Sequence, residues 1–135
     1  MQLTFTLNQP IDLVFDFLTD PQKFVSVHPL IHRMDHLENN RYLVHETIQV
    51  GFIPISFTYP ATIDTTNANK TVTMKATVFG LTRITMTFRL TSMSGHTQVE
   101  EQIAFSSPLP VKPVLQHIFR KQHEQLFRNI ENIAG

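Results

Sequence analysis

From Ile31 onward, apolar and polar residues alternate with a period of two for about 75 residues, and this alternation excludes more folds than any other feature of the chain. It is interrupted at Asn39-Asn40, Asn67-Ala68-Asn69-Lys70, Phe79-Gly80 and Ser94-Gly95, short clusters rich in residues that suit tight turns. The turns predict strands near 31–38, 41–50, 54–66, 71–79, 81–92 and 96–106, with Gly51 and Pro54 separating the second from the third. Connections this short join antiparallel neighbours. One face carries Ile55, Phe57, Tyr59, Ala61 and Ile63, then Val72, Met74, Ala76 and Val78, then Ile84, Met86, Phe88 and Leu90. The opposite face is represented by Thr82, Arg83, Thr85, Thr87 and Arg89, so the sheet has one dry and one wet side.

A dry sheet face needs a cover, and the flanking segments supply helices. Leu3, Phe5 and Leu7 alternate with threonines as a first strand. Pro10 then opens a short helix whose apolar positions are Ile11, Val14, Phe15 and Leu18. Thr19-Asp20-Pro21 restarts the chain as a second short helix through Phe24, Val25 and Val27, which His28-Pro29 stops. At the other end a stiff lead-in, Ser107 to Pro113, precedes a helix of about 22 residues, roughly 33 Å long. Its apolar face is Val114, Leu115, Ile118, Phe119, Leu126, Ile130 and Ile133, and Lys112, Gln116, Arg120, Lys121, Glu124, Arg128 and Glu131 mark its solvent side.

Composition narrows the function classes. Hydrophobic residues make up 41% of the 135 and charged residues 16%, with eleven Phe and no Trp, as in a globular domain. Eleven Lys plus Arg balance eleven Asp plus Glu, which argues against nucleic acid as a partner. Without cysteine there is no disulfide framework, thiolate nucleophile or Cys-bound zinc. Met1 to Asn8 lacks a basic segment followed by an apolar run, and no stretch approaches the roughly 20 apolar residues of a membrane span. The expectation is a cytoplasmic protein without stable membrane insertion. There is no internal repeat or linker, so residues 1–135 are expected to form a single domain.

One strand, two short helices, six antiparallel strands and a long last helix resemble the SRPBCC superfamily, the helix-grip α+β fold of START domains, the birch pollen allergen and polyketide cyclase-like proteins. The sequence carriers are Pro10-Ile11-Asp12-Leu13-Val14-Phe15-Asp16-Phe17-Leu18-Thr19-Asp20-Pro21, similar to the family's opening helix and Asp-Pro turn, and the last-helix run from Phe119-Arg120-Lys121 to Ile133. The resemblance covers nearly the whole chain. It implies a curved sheet of about seven strands gripping the last helix, and an internal cavity rather than a particular reaction, since function varies widely over one fold. The expected function is binding or carriage of a small hydrophobic ligand such as a lipid, isoprenoid, quinone or aromatic metabolite. The alternatives are a cyclase, dehydratase or hydrolase acting on a hydrophobic substrate, and a co-chaperone-like protein-interaction module.

Candidate site residues follow from strand phase. Phe57, Tyr59, Met74, Met86, Phe88, Phe105 and Phe119, with Phe5 and Phe127, would line a cavity or else fill a core. Glu46 is in phase with Tyr42, Val44, Ile48 and Val50, and Glu101 with Val99, Ile103 and Phe105, so both carboxyls are candidates to orient a ligand. With Tyr59, they are also the candidate catalytic groups. The alternative places both glutamates at strand ends or a cavity rim, solvated or paired with Arg or Lys. His28, His32 and His36 recur every four residues, but Pro29 breaks the helix that would align them. On a strand His32 and His36 lie about 13 Å apart, too far for one ion. No metal or other cofactor is expected, and His28 alone is a ligand-contact candidate at the end of its helix. His45, His96, His117 and His123 are expected to face solvent. No nucleophile elbow or phosphate loop is present. Phe52 and Ile53 form an apolar loop tip, suited to a lid, a membrane-surface contact or a homodimer patch.

Overall fold

The alternating stretch forms six hairpin-linked strands: β2 (Ile31–Glu38), β3 (Arg41–Val50), β4 (Ile53–Thr66), β5 (Thr71–Val78), β6 (Thr82–Met93) and β7 (His96–Ser106). β1 (Gln2–Leu7) joins them beside β7, pairing Leu3 with Glu101 and Phe5 with Val99. The result, in a computed structural model that describes residues 1–133, is one antiparallel sheet ordered β1-β7-β6-β5-β4-β3-β2. The helix-grip α+β architecture expected from the sequence is the one observed. Turn chemistry acts at the expected positions: Gly51, Gly80 and Gly95 all have positive φ, as do Asn39 and Lys70. Phe79 also has a positive φ, of 56°, a conformation that costs a bulky side chain more than it costs Asn or Gly.

α1 (Ile11–Thr19) and α2 (Pro21–Val27) form the bent pair. Asp20 ends the first and caps the second, its Oδ1 accepting the backbone N–H groups of Gln22 and Lys23 at 3.0 and 3.1 Å. α3 (Lys112–Glu131) crosses the concave face. Its C-terminal half is anchored: Asn129 Nδ2 donates to the Val27 carbonyl at 2.8 Å, and Gln9 Nε2 donates to the carbonyls of Glu131 and Ile133 at 2.9 and 2.7 Å.

Around that anchored half lies the main core, in which Leu7, Val14, Leu18, Val72, Phe88, Val99, Leu126 and Ile130 are essentially inaccessible. Leu3, Ile84 and Ile103 form a second, smaller cluster with Phe105 and Phe119 against it. α3 packs on β1 and α2 at the sheet's first edge and near its own C-terminus. Its N-terminal half stands away from the middle strands, and that gap makes the cavity described below. Two expectations need correction. Thr82 is buried rather than on the wet face, because it shares phase with Ile84; its hydroxyl lies 3.0 Å from that of Ser107. Val114, read as packed, is exposed because the lead-in holds the first turn of α3 clear of the sheet.

Candidate functional site

A cavity of about 280 Å³ lies between α3 and strands β3–β6, closed toward α2 and open near the 79–80 turn and the lead-in to α3. Strand alternation builds its wall: Val44, Glu46 and Ile48 come from β3, Phe57, Tyr59, Ala61 and Ile63 from β4, Met74 and Ala76 from β5, and Ile84, Met86 and Phe88 from β6. Leu115, Ile118, Phe119, Gln122 and His123 of α3 face them. Phe57, Tyr59, Met74, Met86, Phe88, Phe119, His28 and Glu46, all sequence candidates, meet in this one wall.

Four candidates sit elsewhere. Phe105 has the right phase, but β7 lies toward the sheet edge, and its ring packs 5.5 Å from that of Phe119 in the small cluster rather than on the cavity. Phe5 and Phe127 pack against each other, tilted, with ring centroids 4.5 Å apart at the main core. Glu101 points inward as expected yet does not reach the wall, because His123 stands between them.

His123 is buried, against the expectation that it faces solvent. It is 2% exposed, wedged between Phe88 and Phe119 with ring centroids at 5.9 and 5.5 Å. Its spacing holds the signal, since it falls four residues after Phe119 and four before Phe127 on the apolar stripe. Nδ1 lies 2.7 Å from Oε1 and 2.5 Å from Oε2 of Glu101, which is 0% exposed. The contact to Oε1 has hydrogen-bond geometry, and Oε2 has no hydrogen-bond partner among the described residues.

Glu46, 7% exposed, has little of the solvent and, among the described residues, no Arg or Lys partner of the alternative reading. It accepts a hydrogen bond from the Tyr59 hydroxyl at 2.7 Å. Burial pushes its carboxyl above the ordinary range, opposed by that bond and by the positive field of His123. Burial, then the Glu46 charge, pushes the Tyr59 phenol up in turn. His28 Nδ1 accepts the backbone N–H groups of Leu30 and Ile31 at 3.1 and 2.9 Å, which fixes the ring where α2 ends. Burial, then the charge of His123, pulls its pKa down to about 3.

These shifts carry opposite signs with pH. The raised Glu46 carboxyl contributes stability that is present below 4.5 and lost as pH rises through its folded value. The lowered His28 contributes stability that is present above 6.5 and lost as pH falls through about 3. In urea melts, His28→Asn, which keeps an acceptor for the two backbone groups, should therefore remove a slope of about 1.4 kcal/mol per pH unit between those values. Glu46→Gln should instead flatten the decline above pH 4.5. Parallel profiles for parent and His28→Asn would rule out the buried neutral imidazole.

The remaining histidines lie outside the cavity. His32 Nε2 meets the Thr47 hydroxyl at 3.1 Å, His36 the Asn39 carbonyl at 2.7 Å, and His45 the Asp35 carboxylate at 2.8 Å, so His45 is half-buried rather than solvated. Among the described residues no group of three His, Cys, Asp or Glu side chains could hold a metal ion. None of the described helices is long and apolar enough to cross a membrane.

Apolar side chains face solvent both on the cavity lining, at Phe79, Leu109 and Val114, and on the neighbouring hairpins. Val50, Phe52, Ile53 and Ile55 of the β3–β4 hairpin, Phe79 and Leu81 of the β5–β6 turn, and Leu109 and Val114 beside α3 are all exposed, Phe52 completely. The rings of Phe57 and Phe79 are 5.2 Å apart, so the strained Phe79 backbone places an aromatic ring at the entrance. Segments 48–57, 78–84 and 106–115 carry Arg83 and Lys112 but no Asp or Glu.

Comparison with known proteins agrees with the geometry. Residues 4–134 match the family model for CoxG, a component of carbon monoxide dehydrogenase, and the chain belongs to that family. Its fold is also that of the ZhuI aromatase/cyclase from Streptomyces sp. R1128, with a TM-score of 0.79, 14% identity, and coverage of 97% of this chain and 90% of that one. A START superfamily protein from Mycobacterium smegmatis gives a TM-score of 0.74 at 13% identity, and Ara h 8.0201 gives 0.74 at 17%; each alignment covers 97% of this chain and 93% of the other. At these identities the likeness concerns the fold, which is of the SRPBCC type. No match was found among curated proteins.

Proposed function

We propose that the protein binds and carries a small, mainly hydrophobic ligand in the cavity between α3 and the sheet. The carrying observation is an empty space of about 280 Å³ in the middle of a small fold, walled by Phe, Met, Ile and Val side chains. Interiors are normally packed to crystal density, and a void this large stabilises nothing by itself. Proteins of this fold that are named as START proteins or aromatase/cyclases support a ligand role of this general kind.

The exposed apolar mouth supports exchange with an apolar phase. A bilayer surface fits it best, because Phe79, Leu109 and Val114 of the lining are exposed, and the segments that carry them and the exposed β3–β4 tip hold two basic residues and no acidic one. A hydrophobic fluorescent probe should bind the native protein one to one and be displaced by fatty acids, isoprenoids or aromatic polyketides. Probe binding that occurs only on partial unfolding would remove the carrier reading.

A second reading draws on the polar groups at the closed end. Glu46, Tyr59, His28 and the Glu101–His123 pair converge there, as an enzyme of cyclase or dehydratase type would require. A carrier returns its ligand unchanged, whereas this enzyme would convert it, so mass analysis of a ligand recovered after incubation separates the two. The family's name, which ties it to a dehydrogenase complex, supports a protein partner as a further expectation.

A further inference from the structure

The closed end of the cavity contains two buried imidazoles whose inner nitrogens are occupied. His28, 9% exposed, uses Nδ1 as an acceptor for two backbone N–H groups, so the proton of its neutral ring must reside on Nε2. His123 uses Nδ1 as the donor to Glu101. The Glu101 carboxylate has no Lys or Arg within ion-pair distance among the described residues, and an uncompensated charge at 0% exposure is costly. An imidazolium on His123 would compensate that charge and would place a second N–H on its own Nε2. Both rings line the cavity, and neither Nε2 has a hydrogen-bond partner among the described residues.

Two N–H donors on rings that line the cavity, beside Glu46, Tyr59 and Gln122 and among Phe, Met and Ile side chains, suit an acceptor on the ligand, because a donor covered by an apolar ligand without one loses its hydration without replacement. We infer that the closed end is a recognition site for a carbonyl-type oxygen at the head of the apolar ligand, held by Nε2–H of His28 and Nε2–H of His123. Glu101 acts as the positioning residue, fixing the ring and holding its charge. Glu46, tied to Tyr59, stands at the same end and disfavours a fully anionic head, so a neutral ketone, ester or quinone-like carbonyl fits better than a free carboxylate. The site would orient its ligand with the apolar tail toward the mouth.

This inference rests on the carrier reading, and the two can fail separately. Tridecane, methyl undecyl ketone and dodecanoate share nearly one chain length, and each can be titrated against the bound fluorescent probe. Displacement by tridecane tests the cavity alone. The inference predicts that the ketone displaces the probe about tenfold or more better than tridecane, and better than dodecanoate. It also predicts that His28→Asn reduces the ketone's advantage over tridecane. Equal displacement by ketone and hydrocarbon would overturn the inference and leave the carrier reading standing, and tighter binding of dodecanoate would reassign the site to an anion. Because variants at His123 are expected to be unstable, its role is read on the parent protein by long-range proton–nitrogen NMR of the imidazoles. A doubly protonated His123 and an Nε2–H tautomer of His28, both shifting on ketone addition, are the expected result. A His123 lacking a proton on Nε2 would remove it from the site.

Discussion

His123→Ala is expected to lower the stability of the protein by about 3–5 kcal/mol at neutral pH, the range for removing one partner of a buried ion pair. Glu101 would keep its full burial but lose its only ionic contact among the described residues, and the ring's packing against Phe88 and Phe119 would be lost too. The double variant Glu101→Leu, His123→Leu removes both charges and restores apolar volume, so it should recover most of the loss. Urea melts of the two single variants and the double variant form a cycle in which the coupling between the sites should exceed about 2 kcal/mol. Additive losses would show that the pair is not the unit the structure suggests.

The second large effect concerns the ligand. Ala61 and Ala76 are register partners on β4 and β5, and both present small side chains to the cavity. Ala76→Phe adds a ring to that space without touching a polar group. The variant should bind a hydrophobic probe about 100-fold more weakly, equivalent to about 2.7 kcal/mol. Its stability should hold or rise, because the ring occupies existing space instead of displacing packed neighbours. Unchanged probe affinity would locate the binding elsewhere, and the exposed mouth would be the next surface to test.

The fold is legible in the sequence because its signals are local and repeated. Alternation over β2–β7, Asp20 before Pro21, and glycines at positive φ each specify a turn or a face without long-range information. Strand phase also puts Glu46, Tyr59, Phe57, Met74, Met86 and Phe88 on the inner face correctly. Phase alone does not say how far along the sheet a residue lies from the cavity. Phe105 and Glu101 share the correct parity, but β7 sits next to the edge strand, where α3 and its side chains cover them.

His123 escapes the sequence for a different reason. Residue type suggests solvent while position on the Phe119–Phe127 stripe indicates the interior, and only a partner from β7 resolves that conflict in favour of burial. Glu101 and His123 are 22 residues apart, across the lead-in to α3, and nothing local in either segment announces the pairing. The exposed loop tip, by contrast, is evident at Phe52 and Ile53, whereas the meeting of Phe79, Leu109 and Val114 on one cavity lining requires the topology.

The central claim is that the cavity holds a ligand. Native mass spectrometry of the protein purified from its own host, compared with Ala76→Phe prepared in parallel, tests it most directly. The account predicts a noncovalent one-to-one adduct of a small apolar molecule on the parent chain and its absence from the variant. A bare mass for the parent chain, unchanged after incubation with fatty acids, isoprenoids and aromatic ketones, would contradict it.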